Sequence, residues 1–178
     1  MSEYYKAHDD TKAYFITSTV VNWEKVFIEE KYINILIDSI RFCQNHKGME
    51  LYAYCLMPTH FHIIARGNDI RISNIMRDMK KFTSVKIIKE MELSGDKNKM
   101  LTVFRNEGLR IRRNWKYKFW QDGFHPIEIS TEKIFKQKLN YIHLNPVDAG
   151  FVSYATEYKF SSARNYSGMC GVLDIIIE

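Results

Sequence analysis

The chain has 178 residues, 46% hydrophobic and 14% aromatic, with 26 Lys or Arg against 21 Asp or Glu and a formal net charge of +5 at pH 7. That length and apolar content suit one globular domain over residues 1–178, and the modest basic excess favours a polyanionic partner wherever it is clustered. No apolar run approaches the roughly 18 residues needed to cross a bilayer, and the opening MSEYYKAHDD is polar, so the expected location is cytoplasmic with no membrane partner. Cys43, Cys55 and Cys170 are widely spaced in apolar surroundings and form no Cys-x-x-Cys pair. They read as buried thiols in a reducing compartment, not as a disulfide frame or a zinc ribbon.

Taken in order, YFITSTVVN (14–22) is rich in β-branched and aromatic residues and predicts a strand, while apolar residues at three-to-four spacing over 27–45 predict a helix ended near Gly48. ELYAYCLM (50–57) and HFHIIAR (60–66) predict a hairpin turning at Pro58-Thr59. A second helix is expected from about Ile72 to Met91, capped by Asp69 or Ser73. Its core stripe would be Ile72, Ile75, Met76, Met79, Phe82 and Val85, and its other face basic, with Arg77, Lys80, Lys81, Lys86 and Lys89.

The composition then shifts. SGDKNK reads as a loop, and between Lys97 and Lys118 eight Lys or Arg face the single acid Glu107, interleaved with aromatics. An extended piece near Phe124–Ile129 and a third helix after Ser130, stopped by Asn145-Pro146, complete the order. Strand, helix, strand, strand, helix, strand, helix is the pattern of an α+β, ferredoxin-like βαββαβ antiparallel sheet with helices on one face and an added C-terminal helix. The tail from Gly150 is weakly patterned, and its VLDIIIE end suits an edge strand or a partner contact.

Chemistry enters with MPTHFH. Residues two apart on a strand share a face, so His60 and His62 point one way while Phe61 points into the core. Such a pair either chelates one ion, with coordination positions left open, or is two histidines satisfied by hydrogen bonds. On the third helix Tyr141 and Asn145 lie one turn apart, so a phenol and an amide share one side, with Ile134, Phe135, Leu139 and Ile142 available for the buried face. A packing tyrosine and a helix-stopping asparagine are the plainer readings of those two.

MPTHFH, FWQDGF and YIHLNPVDAGFV, in that order over roughly residues 10–165, resemble the single-tyrosine transposases of the His-hydrophobic-His endonuclease superfamily, above all the REP-associated tyrosine transposases. The resemblance implies that His60 and His62 bind a divalent cation with Asn145 as third ligand, Mg²⁺ first and Mn²⁺ second on availability. Tyr141 would be the nucleophile, carried on the added helix. Attack by Tyr141 on a scissile phosphate would leave a 5′-phosphotyrosine and a free 3′-hydroxyl, and rejoining would need no ATP. The implied partner is single-stranded DNA with hairpin or repeat ends, and a homodimer is an open assembly. Arg105, Arg110, Arg112, Arg113, Lys116 and Lys118 could neutralise phosphates while Trp115 or Tyr117 stacks on a base; a solvated basic loop is the alternative. Trp120 and Gln121 match the family's Trp-Gln pair, and a core role for the tryptophan ranks ahead of a DNA contact. Two other readings stay open: a non-catalytic single-stranded nucleic-acid-binding module, whose RNP1-like aromatic strand is missing, and a domesticated hairpin-repeat-binding protein.

Overall fold

The computed structural model describes residues 11–94, 98–110 and 116–177. Its elements are β1 (Tyr14–Thr19), α1 (Glu30–His46), β2 (Met49–Leu56), β3 (His60–Gly67), α2 (Ile72–Ser94), α3 (Asn98–Leu109), β4 (Ile127–Glu128), α4 (Glu132–Asp148) and α5 (Ala163–Tyr166). The sheet runs β2-β3-β1-β4, with each neighbouring pair antiparallel, which is the ferredoxin-like order with β1 and β3 at the centre.

Strand alternation assigns the two faces. Tyr14 and Ile16 of β1 and Phe61, Ile63 and Ala65 of β3 bury against the helical layer of α1 and α2. Phe15 and Ile64, with Ala53 and Cys55 of β2, face the other way and meet Phe135, Leu139 and Ile142 of α4. A register irregularity between Leu51 and Ala53 puts Tyr52 on this second face as well. α1 forms because Ile33, Leu36, Ile37 and Ile40 fall on one side, and all four are buried. It ends where Gly48 takes φ +64°; a Cβ there would lie 2.6 Å from the Asn68 carbonyl oxygen, so only glycine suits the turn.

Four expectations need correction. In α2, Phe82 and Val85 are exposed, and Thr83, Ile87 and Met91 continue the buried stripe. A ridge extended in steps of three rotates off a 3.6-residue face. α3 was not foreseen; Phe104 is buried, and Met100 and Leu101 pack on the core. Asn145-Pro146 does not stop α4, which runs to Asp148 with Pro146 buried inside it. The ring sacrifices a donor but its φ is helical, and Ala149 N–H still donates to Asn145 O at 3.0 Å. Cys170 is exposed, whereas Cys43 and Cys55 are buried and burial pushes their thiols up to about 11 and about 12.

The tail covers the free edge of β2. Leu56 N–H donates to Phe160 O, Ser162 N–H to Tyr54 O and Ile176 N–H to Leu51 O, at 2.8–2.9 Å. That satisfies edge groups that would otherwise recruit another strand. The Tyr54 hydroxyl accepts from Val172 and Leu173 N–H at 3.0 and 3.3 Å, fixing the last turn of the tail under the sheet. Among the described residues no helix is long and apolar enough to cross a membrane.

At the start of the β2–β3 hairpin, the Tyr52 hydroxyl donates to Glu50 Oε2 at 2.8 Å and Arg66 Nε donates to the same oxygen at 2.9 Å. The tyrosine hydroxyl first, then the guanidinium, holds the Glu50 carboxyl below its ordinary range. A depressed carboxylate stabilises the fold above its unfolded pKa and loses that contribution as pH falls through the folded value. Glu50→Gln is therefore expected to lower stability at pH 7 by about 1 kcal/mol, with the gap from wild type closing below about pH 4; urea unfolding across pH would measure it.

Candidate active site

β3 carries His60 and His62 on the face that α4 covers, while Phe61 is fully buried on the other. Their ring centroids lie 4.7 Å apart. The antiparallel register pairs His62 with Thr17, and the Thr17 hydroxyl lies 2.7 Å from His62 Nδ1. The Thr59 hydroxyl lies 2.8 Å from His60 Nδ1. In the tautomer that donates Nδ1–H to these hydroxyls, each ring keeps its lone pair at Nε2. His62 is 3% exposed, and its Nε2 is buried with no hydrogen-bond partner. An orphaned buried nitrogen carries a cost unless something else occupies its lone pair.

Burial pulls the His60 imidazole below its usual range, while a hydrogen bond with the Asn145 side chain acts in the opposite sense. Burial, reinforced by His60 and by Lys138, drives His62 down to about 3. Both rings are thus neutral near pH 7, the state in which imidazole donates to a cation.

α4 begins at Thr131, whose hydroxyl accepts from Ile134 N–H at 3.2 Å. It is held over the sheet by the buried Ile142 and by His143, whose Nε2 lies 2.9 Å from the Ser162 hydroxyl, itself bonded to Tyr54 of β2. This mounting places Tyr141 with its ring centroid 5.1 Å from that of His62 and 5.8 Å from that of Phe15, edge-on to both. Tyr141 is 47% exposed, so the phenol stays open to solvent. Because α4 passes through Pro146, Asn145 remains one turn beyond Tyr141 and reaches His60. His60, His62, Tyr141 and Asn145 therefore come together from two elements some eighty residues apart.

Three neighbours escaped the sequence reading. Thr17 and Thr59 orient the imidazoles, and only strand pairing reveals Thr17. Lys138 places its ammonium 4.9 Å from the Phe15 ring centroid and acts on His62; its spacing of three from Tyr141 was the available clue.

Of the seven expected DNA-binding residues, Arg105, Arg110, Lys116 and Lys118 are among the described residues. Arg112, Arg113 and Trp115 lie outside the described residues. Arg105 is exposed on α3. Arg110 pairs with Glu107 at 2.5 Å, Lys116 with Glu92 at 2.8 Å, and the largely buried Lys118 with Asp122 at 2.5 Å. Part of the basic cluster is thus neutralised within the fold. Arg77, Lys80 and Lys81 of α2 instead line a cleft of about 780 Å³ against segment 117–124. In it Trp120 is a core residue, packed on Phe27, Phe61 and Phe119, with its Nε1–H donated to Lys80 O at 3.1 Å.

The ferredoxin-like sheet thus carries a histidine pair on a central strand, with the tyrosine-bearing helix α4 laid across that face. The sequence pattern of the family described as "Transposase IS200 like" matches residues 11–100, just over half the chain, and the chain belongs to that family. That span includes His60 and His62; Tyr141 and Asn145 lie beyond it. An Escherichia coli K12 protein named REP-associated tyrosine transposase is 22% identical over 165 residues, covering 91% of this chain and 82% of that protein. A Haemophilus influenzae protein provisionally given the same name is 25% identical over 164 residues, covering 91% and 85%. A solved structure described as the REP-associated tyrosine transposase bound to a REP hairpin superposes with a TM-score of 0.65 at 22% identity, covering 100% of this chain and 95% of that one, which establishes a shared fold.

Thr17→Val keeps the volume and removes the hydroxyl, leaving His62 Nδ1 without its partner as well as Nε2. It is expected to destabilise the fold by about 1–3 kcal/mol in urea unfolding, and Thr59→Val by less, because His60 is only half-buried.

Proposed function

We propose that this transposase-family chain cuts and rejoins single-stranded DNA, with Tyr141 as nucleophile and a divalent cation held by His60, His62 and Asn145. The observation that carries the reading is the buried, unpartnered His62 Nε2, in a ring fixed by Thr17 and faced by the Tyr141 phenol. Two neutral imidazoles and an amide oxygen are a donor set that fits a divalent ion while leaving room for substrate oxygens. Bound there, the cation would polarise a non-bridging phosphate oxygen and offset the charge that develops on it. Mg²⁺ is the first candidate and Mn²⁺ the second; imidazole suits Mn²⁺ better, whereas availability favours Mg²⁺.

Tyr141 does the covalent work. Its oxygen forms a bond to phosphorus as the bond to the 3′-oxygen breaks, the phenolic proton passing to solvent and the departing 3′-oxygen gaining one. The product is a 5′-phosphotyrosine and a free 3′-hydroxyl. The reverse attack by a 3′-hydroxyl releases Tyr141 and joins strands, one phosphodiester being exchanged for another. Phe15 backs both rings, and Lys138 places a positive charge beside them that favours a bound phosphate. Tyr141 faces His62 of its own chain, which supports assembly of a complete site within one protomer. The hairpin on the solved relative supports a strand with a hairpin or repeat end as substrate.

A panel of labelled hairpin oligonucleotides with Mg²⁺ or Mn²⁺ tests the reading on a denaturing gel. Wild type is expected to form a covalent adduct that chelator abolishes, Tyr141→Phe none, and the double variant His60→Ala, His62→Ala none despite a cooperative melt. Equal adduct from Tyr141→Phe would remove the nucleophile assignment. Undiminished cleavage by the histidine double variant would remove the metal role.

A further inference from the structure

Beside this site, the turn after β1 presents an aromatic ring that neither the core nor the proposed chemistry uses. Trp23 is 57% exposed, and its ring centroid lies 5.5 Å from that of His60, edge-on. Asn22 and Trp23 both have left-handed backbone, at φ +53° and +55°. Asparagine tolerates that region, but a bulky tryptophan seldom does, and a glycine would relieve the strain. The conformation is held from several sides. Val20 N–H donates to Thr59 O and Val21 N–H to Phe119 O, both at 2.9 Å, while Phe27 N–H donates to Pro58 O at 3.0 Å. The turn is thus pinned to the loop that leads into His60. Strained backbone held in place around an exposed aromatic, against a site residue, is a feature that clusters where ligands are bound.

The four rings follow one another in edge-on contact, Trp23 to His60 to His62 to Tyr141, with successive centroids 5.5, 4.7 and 5.1 Å apart. In-line displacement puts the attacking and leaving oxygens on opposite sides of phosphorus. With Tyr141 at one end, the strand carrying the departing 3′-oxygen runs toward the other. We infer that Trp23 is a stacking platform for the unpaired base immediately 5′ of the cleaved phosphate, holding the 3′-hydroxyl strand in place between cutting and rejoining. The inference rests on the proposed single-strand chemistry and deepens it by assigning a base subsite. A planar apolar face beside a phosphate site suits any of the four bases, so the platform fixes position more than sequence.

The probe is a hairpin oligonucleotide that wild type converts to adduct, with the cut mapped and 2-aminopurine placed either just 5′ or just 3′ of it. Binding is followed by fluorescence in metal-free buffer, so the readout does not depend on turnover. Wild type is expected to quench the 5′ probe and not the 3′ probe. Trp23→Ala should relieve the quenching and weaken binding by about 5- to 100-fold, with Trp23→Phe recovering part of it. An abasic residue at the 5′ position should weaken wild type by a similar factor and erase the difference between wild type and Trp23→Ala. In the covalent assay Trp23→Ala should lower the ratio of rejoined to released 3′ strand. Equal quenching in wild type and Trp23→Ala, or a Trp23→Ala defect that persists on the abasic strand, overturns the platform while leaving the nucleophile reading intact. Absence of any wild-type adduct overturns the parent reading, and the inference with it.

Discussion

Everything in the site depends on the strict two-residue alternation of β3. One strand must supply Phe61, Ile63 and Ala65 to the helical layer and His60, His62 and Ile64 to the opposite face. A slip of one residue would bury the imidazoles among α1 and α2 and turn Phe61 toward α4. The register is therefore over-determined: β1 and β2 pair with β3 from both sides, and Val20 N–H is bonded to Thr59 O at the mouth of the hairpin. Burying a phenylalanine side chain is worth roughly 1.5–3 kcal/mol, so the core face contributes the free energy that holds two poorly solvated histidines opposite it.

The second half of the site is mounted differently. α4 reaches the sheet through a small apolar patch on one side and the His143–Ser162–Tyr54 hydrogen bonds on the other. Burial pulls His143 down to about 4, so this anchor is neutral and directional, not an ion pair. Tyr141 can then stay half open to solvent because its helix neighbours do the packing.

Features governed by a period were legible in the sequence. The alternation of THFH placed two imidazoles on one face, and the four-residue step from Tyr141 to Asn145 placed phenol and amide on one helix side, with no pairing information needed. Features governed by partners were not. Thr17 is meaningful only because antiparallel register sets it beside His62. In sequence the apolar stripe of α2 continues through Phe82 and Val85 only because steps of three stay apolar there while rotating away from the core. α3 has apolar positions at Met100, Leu101, Val103, Phe104 and Leu109, but the loop-like SGDKNK before it and the basic run after it obscure its pattern. Pro146 reads as a stop because the local penalty is visible in the sequence and the compensating bonds of residues 149–151 are not. The left-handed turn at Asn22-Trp23 carries no glycine or proline, so nothing in its letters marks it.

The closing tail has a consequence for how the molecule is born. Residues 160–162 and 176 seal β2, and Ser162 also braces α4, so the segment that steadies the tyrosine is made after it. A nascent chain can complete its histidine face well before the phenol is seated, and domains emerge from the amino end first. Under the proposed chemistry, the partly synthesised protein holds a cradle with nothing to strike from it, and competence toward DNA arrives only as the last turns lock into place.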